Sequence, residues 1–191
     1  MKKIISHNTM SYLTPSKWYA RLFNFIAKCQ NKPLTDQLEL VDGVDLRVFY
    51  KEGRWYFAHG MAEYDSCCMQ DIHGVMSIIE FLKPKCVVRI ILEKVKKDIH
   101  KEFDEFAKLC KRLEEEYPTI LFVGGRFKKD WTSIYSFKYD YYPTQQFVSS
   151  MVKDTKWYEK FIPKLYAKRM NKTNRDKIQY GLNLFDFIGD Y

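Results

Sequence analysis

Two histidines stand where reactive groups are expected. His7, in Ile5-Ser6-His7-Asn8-Thr9, and His59, in Phe57-Ala58-His59-Gly60, each close a run that reads as a β-strand. Strand ends are where α/β folds gather their chemistry. Imidazole titrates near neutrality, so a pair could withdraw one proton and deliver another in a single displacement. Taken alone, either reads better as a hydrogen-bonded structural histidine. His73 and His100 fall inside helical patterns and read as surface residues.

Charged residues recur inside apolar strands with a period of two, which places them on one face. In Val44-Asp45-Leu46-Arg47-Val48 the charged pair faces away from the apolar residues. From Cys86 to Glu93, Arg89 and Glu93 share a face with Val87 and Ile91, opposite Val88, Ile90 and Leu92. Asp186 sits between Phe185 and Phe187, which point away from it. If these strands are central and parallel, with helices on one face, the charges point into the middle of the sheet. There they must pair with one another or surround an anion, because an unpaired buried charge costs several kcal/mol. The alternative is a two-sided antiparallel sheet whose polar face is solvated.

The elements that would position these residues alternate, as in an α/β domain. Strands are predicted at Lys3 to Ser6, Val44 to Tyr50, Trp55 to His59, Cys86 to Leu92, Thr119 to Val123 (ended by Gly124-Gly125), near Ser133 to Phe137, and at Leu184 to Ile188. An amphipathic helix is predicted from Lys17 to Lys28, with Trp18, Leu22, Phe25, Ile26 and Cys29 on its apolar face. Thr35 to Leu40 reads as a helical turn and Asp71 to Leu82 as a helix. Asp98 to Tyr117 is the clearest helix, burying Ile99, Phe103, Phe106, Cys110 and Leu113.

The 191 residues fit one domain, 1–191, and fall short of the roughly 250 of a full eight-unit barrel. With 46% hydrophobic and 17% aromatic residues, global disorder is excluded. The net charge of +8 favours anionic partners. Residues 152–177 hold nine Lys or Arg against three acids, a local excess of +6 interleaved with Trp157, Tyr158, Phe161 and Tyr166. That stretch reads as a solvated face or as a surface for anionic lipid; nucleic acid is disfavoured. Cys29, Cys67, Cys68, Cys86 and Cys110 form neither a disulfide framework nor a metal-type pair, so a reducing, cytoplasmic setting is expected. The signal-like start is interrupted at Ser6-His7-Asn8, and no run approaches the ~20 apolar residues of a membrane span.

In order and approximate spacing, Ser6-His7-Asn8-Thr9, Gln37-Leu38, Gly43-Val44-Asp45-Leu46-Arg47 and His59-Gly60 resemble the X-domain of phosphatidylinositol-specific phospholipase C and its bacterial phosphodiesterase relatives. Arg89 to Glu93 and Leu184 to Ile188 resemble further strands of that family. The resemblance implies a compact, distorted or incomplete TIM-type (β/α) barrel that cleaves a phosphodiester beside a neighbouring hydroxyl, through a cyclic phosphate. His7 would be the general base and His59 the general acid. Arg47 would hold the phosphoryl oxygens, as in the bacterial branch. Asp45 would orient Arg47 or His59, and Asp186 would bind the far nitrogen of His7. Asn8, Arg89 and Glu93 would contact substrate. Asn8 and Glu93 also match the calcium-dependent branch, where Asn8, Asp45 and Glu93 would be the ligands. Arg47 among them favours a metal-independent site.

Two other readings stay open: a metal-dependent glycerophosphodiester phosphodiesterase, and a non-catalytic module that binds a phosphorylated head group or nucleic acid. Gly124-Gly125-Arg126 reads as a tight turn in preference to a phosphate-binding loop.

Overall fold

The structure is a computed structural model that describes residues 1–64, 72–149 and 151–190. Cys67, Cys68 and the expected helix start at Asp71 lie outside the described residues. Six strands form a parallel sheet in the order β7 (Thr144–Phe147), β8 (Gly181–Phe185), β1 (Lys2–Ser6), β2 (Gly43–Lys51), β5 (Val87–Leu92) and β6 (Leu121–Phe127). The far end of β2 turns back into β3 (Arg54–His59) and then β4 (Ala62–Tyr64), both antiparallel. Among the described residues β6 and β7 are not paired with each other, so the barrel is open at that seam.

Side-chain alternation determines what lies inside the curl. Ile5, Val87, Val123, Leu182 and Leu184, from four strands, pack into one small cluster. Strands that are not neighbours meet there, which requires the sheet to curve around that cluster. The opposite residues of β2, β5 and β6, among them Val44, Leu46, Val48, Val88, Ile90, Leu92 and Phe122, pack outward. They meet α3 (Leu34–Leu40), α4 (Ile72–Leu82) and α5 (Ile99–Glu116), whose Leu38, Met76, Ile79, Phe106 and Leu113 complete the main core. A third cluster of Val41, Phe147, Phe185 and Ile188 covers the other flank. The helix α5 begins on Asp98, whose carboxylate accepts from the His100 and Lys101 amides.

Several expected elements shift. The helix expected from Lys17 to Lys28 is two short ones, α1 (Trp18–Leu22) and α2 (Asn24–Ala27), divided at Phe23, and its apolar face is largely exposed. Ser133 to Phe137 contributes an isolated bridge from Ser133 to Arg126 in place of the expected strand, and the next strand along the chain is β7. Gly124-Gly125 does not end β6: both lie within it, where the register against β5 slips between Ile90 and Ile91. The last strand runs three residues earlier than expected at both ends, so Asp186 follows its end. Ile99 is half exposed because it sits on the first, outward turn of α5. In the basic stretch a 3-10 turn (Trp157–Lys160) leads into α6 (Pro163–Arg175). Among the described residues no helix is long and apolar enough to cross a membrane.

Gly43 marks a close approach in the barrel, where β1, β2 and β5 meet as Ile5, Gly43 and Val87. A Cβ there would lie 2.2 Å from the Val87 carbonyl oxygen and 2.7 Å from Ile5 Cδ1. Gly43→Ala is therefore expected to lower stability by about 1–3 kcal/mol. A urea midpoint equal to that of the parent protein would contradict this packing.

Candidate active site

The site starts at the end of β1. His7 donates its amide to the Phe185 carbonyl (3.0 Å), and Asn8 turns the chain through a left-handed conformation (φ 46°). Thr9 Oγ1 donates to the Ser6 carbonyl (2.8 Å) and accepts from the Asp45 amide (3.1 Å), while the Asn8 amide donates to Asp45 Oδ2 (3.2 Å). The turn carrying His7 is thus tied to the strand carrying Asp45 and Arg47.

The alternation read from the sequence holds: Asp45, Arg47, Arg89 and Glu93 face the interior and are buried. Asp45 lies between two guanidinium groups. Arg47 Nε donates to its Oδ2 (3.0 Å) and Arg89 Nη1 to its Oδ1 (2.6 Å). Arg47 Nη1 reaches Glu93 Oε2 (3.4 Å), and Glu93 also accepts from the Gly60 amide (2.7 Å) and from Lys128 Nζ. Burial alone would raise the Asp45 carboxyl; Arg47 and Arg89 reverse this and hold it far below the usual carboxylate range. Glu93 is likewise held low, with burial outweighed by Arg47, His59 and Lys128.

Arg47 Nη2 lies 2.9 Å from His7 Nε2, and His7 Nδ1 lies 2.7 Å from Asp186 Oδ1. A guanidinium can only donate and a carboxylate only accepts, which places the ring proton on Nδ1 and leaves a lone pair on Nε2. That is the tautomer a general base needs. The His59 ring centre lies 6.1 Å from that of His7, with the planes at 82°. His59 Nδ1 donates to the Ala27 carbonyl at the end of α2 (2.7 Å), so its Nε2 is also turned to accept. Burial pushes His59 down to about 4, with Glu93 resisting and Arg47 and Lys128 assisting.

All eight residues singled out in the sequence belong to one connected cluster. Two points that the sequence left open are narrowed by the geometry. Asp45 orients Arg47 and Arg89, not His59, because His59 sits on the antiparallel hairpin and is held by Ala27. Asn8, Asp45 and Glu93 do not suit calcium: both carboxylates already face Arg47, with Arg89 and Lys128 beside them, and a divalent ion would be repelled. Three contributors escaped the sequence reading. Lys128 carried a signal, a cation just past a strand end. Gln30 and Ser11 carried none, since single buried polar groups outside long helices and strands have no period.

Arg89 also links the cluster to a cleft of about 350 Å³ at the open seam, lined by Arg126, Trp131, Tyr142, Thr144 and Gln146. Its guanidinium lies 5.5 Å from the centre of the Trp131 ring. This cleft therefore adjoins the two histidines through Asp45 and Arg89; it does not lie over them.

The sequence matches no protein-family model and no curated protein. Its fold is similar to two solved bacterial structures. One is phosphatidylinositol-specific phospholipase C from Listeria monocytogenes, with TM-score 0.62, 14% identity, and coverage of 98% of this chain and 88% of that one. The other is the phosphatidylinositol-specific phospholipase C of S. aureus, from a structure concerned with its membrane binding, with TM-score 0.57, 13% identity, and coverage of 98% and 86%.

Asp45→Asn leaves two buried guanidinium groups short of their counter-charge and is expected to cost about 3–5 kcal/mol in denaturant unfolding. Acid should act in two windows. His59 is depressed in the fold, so the unfolded chain binds more protons between about pH 6.5 and 4, and stability falls as pH drops through that range. Asp45 and Glu93 contribute stability above about pH 4 that is lost below it. Stability flat from pH 7 to 3 would contradict both assignments.

Proposed function

Starting from a fold shared with bacterial phosphatidylinositol-specific phospholipases C, we propose that this protein is a metal-independent phosphodiesterase of that type. It cleaves a phosphodiester next to a neighbouring hydroxyl and passes through a cyclic phosphate. The observation that carries this reading is the convergence of two imidazoles on one buried guanidinium, with Asp186 fixing the tautomer of one of them.

In this mechanism the phosphoryl oxygens approach Arg47, whose donors are aimed by Asp45 and Glu93, and draw its Nη2 from His7. The freed Nε2 lone pair takes the proton of the attacking hydroxyl as that oxygen bonds to phosphorus, and Asp186 stabilises the imidazolium. His59 must deliver a proton to the departing oxygen, yet it is neutral in the empty site at pH 7. The substrate's negative charge offsets the Arg47 and Lys128 fields and raises the ring's affinity for a proton. Asn8 and Glu93 border the reacting centre, and Arg89 directs the head group toward the seam cleft.

A phospholipid substrate would reach this site from a surface. Trp18 is 72% exposed, and Tyr19, Leu22, Phe23 and Phe25 on α1 and α2 are also at the surface. The two helices end at Ala27, the partner of His59, and α2 packs beside the basic α6, which follows the 76% exposed Trp157. Aromatic side chains beside cationic ones suit an anionic bilayer interface. These features support a lipid contact on α1 and α2 together with residues 152–177.

Incubation with phosphatidylinositol vesicles, followed by phosphorus NMR, should yield an inositol cyclic phosphate. His7→Ala and His59→Ala should each lower turnover by about 10²–10⁴-fold with the fold retained; undiminished turnover in either rejects the pair. The His59 ring protons, titrated by NMR, should respond near pH 4 in the free protein and at higher pH with a bound phosphodiester analogue. Trp18→Ala should weaken vesicle binding without altering turnover of a water-soluble substrate, and equal loss on both would contradict a surface role.

A further inference from the structure

Cys29 is buried, and its Sγ lies between the two histidines, 3.5 Å from Asn8 Nδ2 and 3.9 Å from His59 Nδ1. The phosphodiesterase mechanism has no use for a thiol there. One ligand atom each from His7, Cys29 and Asp186 lies within 4.8 Å of the others, and all three side chains are buried. These residues come from three distant parts of the chain, and the loop that brings Cys29 to them is fixed by a set of buried hydrogen bonds. Ser11 Oγ accepts from the amides of Cys29 and Gln30 (3.0 Å each). The Cys29 carbonyl accepts from the Phe187 amide (2.6 Å). Gln30 Nε2 donates to the carbonyls of His7 (2.9 Å) and Phe185 (3.0 Å), and its Oε1 accepts from the Ile188 amide (3.0 Å). Phe187 adopts a left-handed conformation (φ 52°) next to Asp186, a costly arrangement for a bulky residue that this bonding holds in place.

We propose that His7, Cys29 and Asp186 form a site for a thiophilic divalent ion of the zinc type, and that its occupation shuts down the phosphodiesterase. The donor set selects the ion. One sulfur, one imidazole nitrogen and one carboxylate oxygen match zinc, whereas calcium takes six to eight oxygens. A tetrahedral zinc site separates its donors by about 3.3–3.8 Å, so the spread found here needs contraction at its long edges and a modest opening between His7 and Asp186. Thiolate and carboxylate together cancel the ion's double charge, which a buried site requires beside Arg47. The Cys29 thiol releases its proton to solvent as the sulfur–metal bond forms, because thiolate is the form that binds the ion.

Inhibition follows from the tautomer and rests on the reading of His7 as base. An ion inserted between Asp186 and His7 takes the Nδ1 lone pair and moves the ring proton to Nε2, which obliges Arg47 Nη2 to swing off that nitrogen. The base then carries a proton where it needs an electron pair.

The metal-free, reduced protein is titrated with cobalt(II) as a spectroscopic probe, and zinc is added to turnover assays on a water-soluble phosphodiester. A thiolate-to-cobalt charge-transfer band is expected in the parent protein and is expected to vanish in Cys29→Ser, with Cys29→Ala as the second variant should the first not fold. Zinc should inhibit the parent protein reversibly on addition of a chelator, and the half-inhibiting concentration should rise about tenfold or more in the variant, whose turnover without zinc is unchanged. Absence of the band, or zinc sensitivity that survives loss of Cys29, overturns the site. If the metal-free protein has no turnover, the phosphodiesterase reading fails while the cobalt band still decides the metal site.

Discussion

The carboxylate of Asp45, gripped from two sides by Arg47 and Arg89, is the interaction on which the rest of the interior depends. A guanidinium at the centre of a barrel is tolerable only with a fixed counter-charge, and once so fixed it can point its remaining donors at a ligand. The other inward charges follow from this pair. Glu93 balances Arg47 from β5, Lys128 balances Glu93, and Arg47 in turn selects the tautomer of His7. The apolar cluster of Ile5, Val87, Val123, Leu182 and Leu184 packs inside the same curl and leaves the charged layer anchored against a solid floor.

The geometry separates two neighbouring histidines into different states. His7 is tied between an anion and a cation, whereas His59 donates to a backbone carbonyl, and its burial, assisted by Arg47 and Lys128, disfavours its charged form. Two imidazoles about 6 Å apart with opposite proton duties need this kind of asymmetry. It arises from topology: His7 follows a parallel strand at the heart of the sheet, and His59 ends an antiparallel hairpin added at its rim.

What could be read from the sequence was whatever repeats. The period of two in Val44 to Val48 and Cys86 to Glu93 assigned Asp45, Arg47, Arg89 and Glu93 to the interior, because each apolar neighbour had to meet the helices. The strong stripe of α5 was equally legible. Single-residue positions on loops were not. Gln30 and Ser11 fix the site through backbone bonds that leave no pattern, and β7 is too short and polar (Thr144, Gln145, Gln146) to stand out. The Lys17 to Lys28 segment misled because its apolar spacing has the form of a core-facing helix, whereas its aromatic residues face outward. An outward apolar face is a property of partners, and the period of a sequence does not distinguish a partner from a core.

The account rests on one anion being held by three side chains at once. A crystal structure with a non-cleavable phosphonate analogue of a phosphodiester tests this most directly. The phosphorus is predicted to lie against the Arg47 guanidinium, with Nε2 of His7 and Nε2 of His59 each about 3 Å from an oxygen on opposite sides of it. An analogue bound elsewhere, or with both imidazoles on the same side of the phosphorus, would contradict the account.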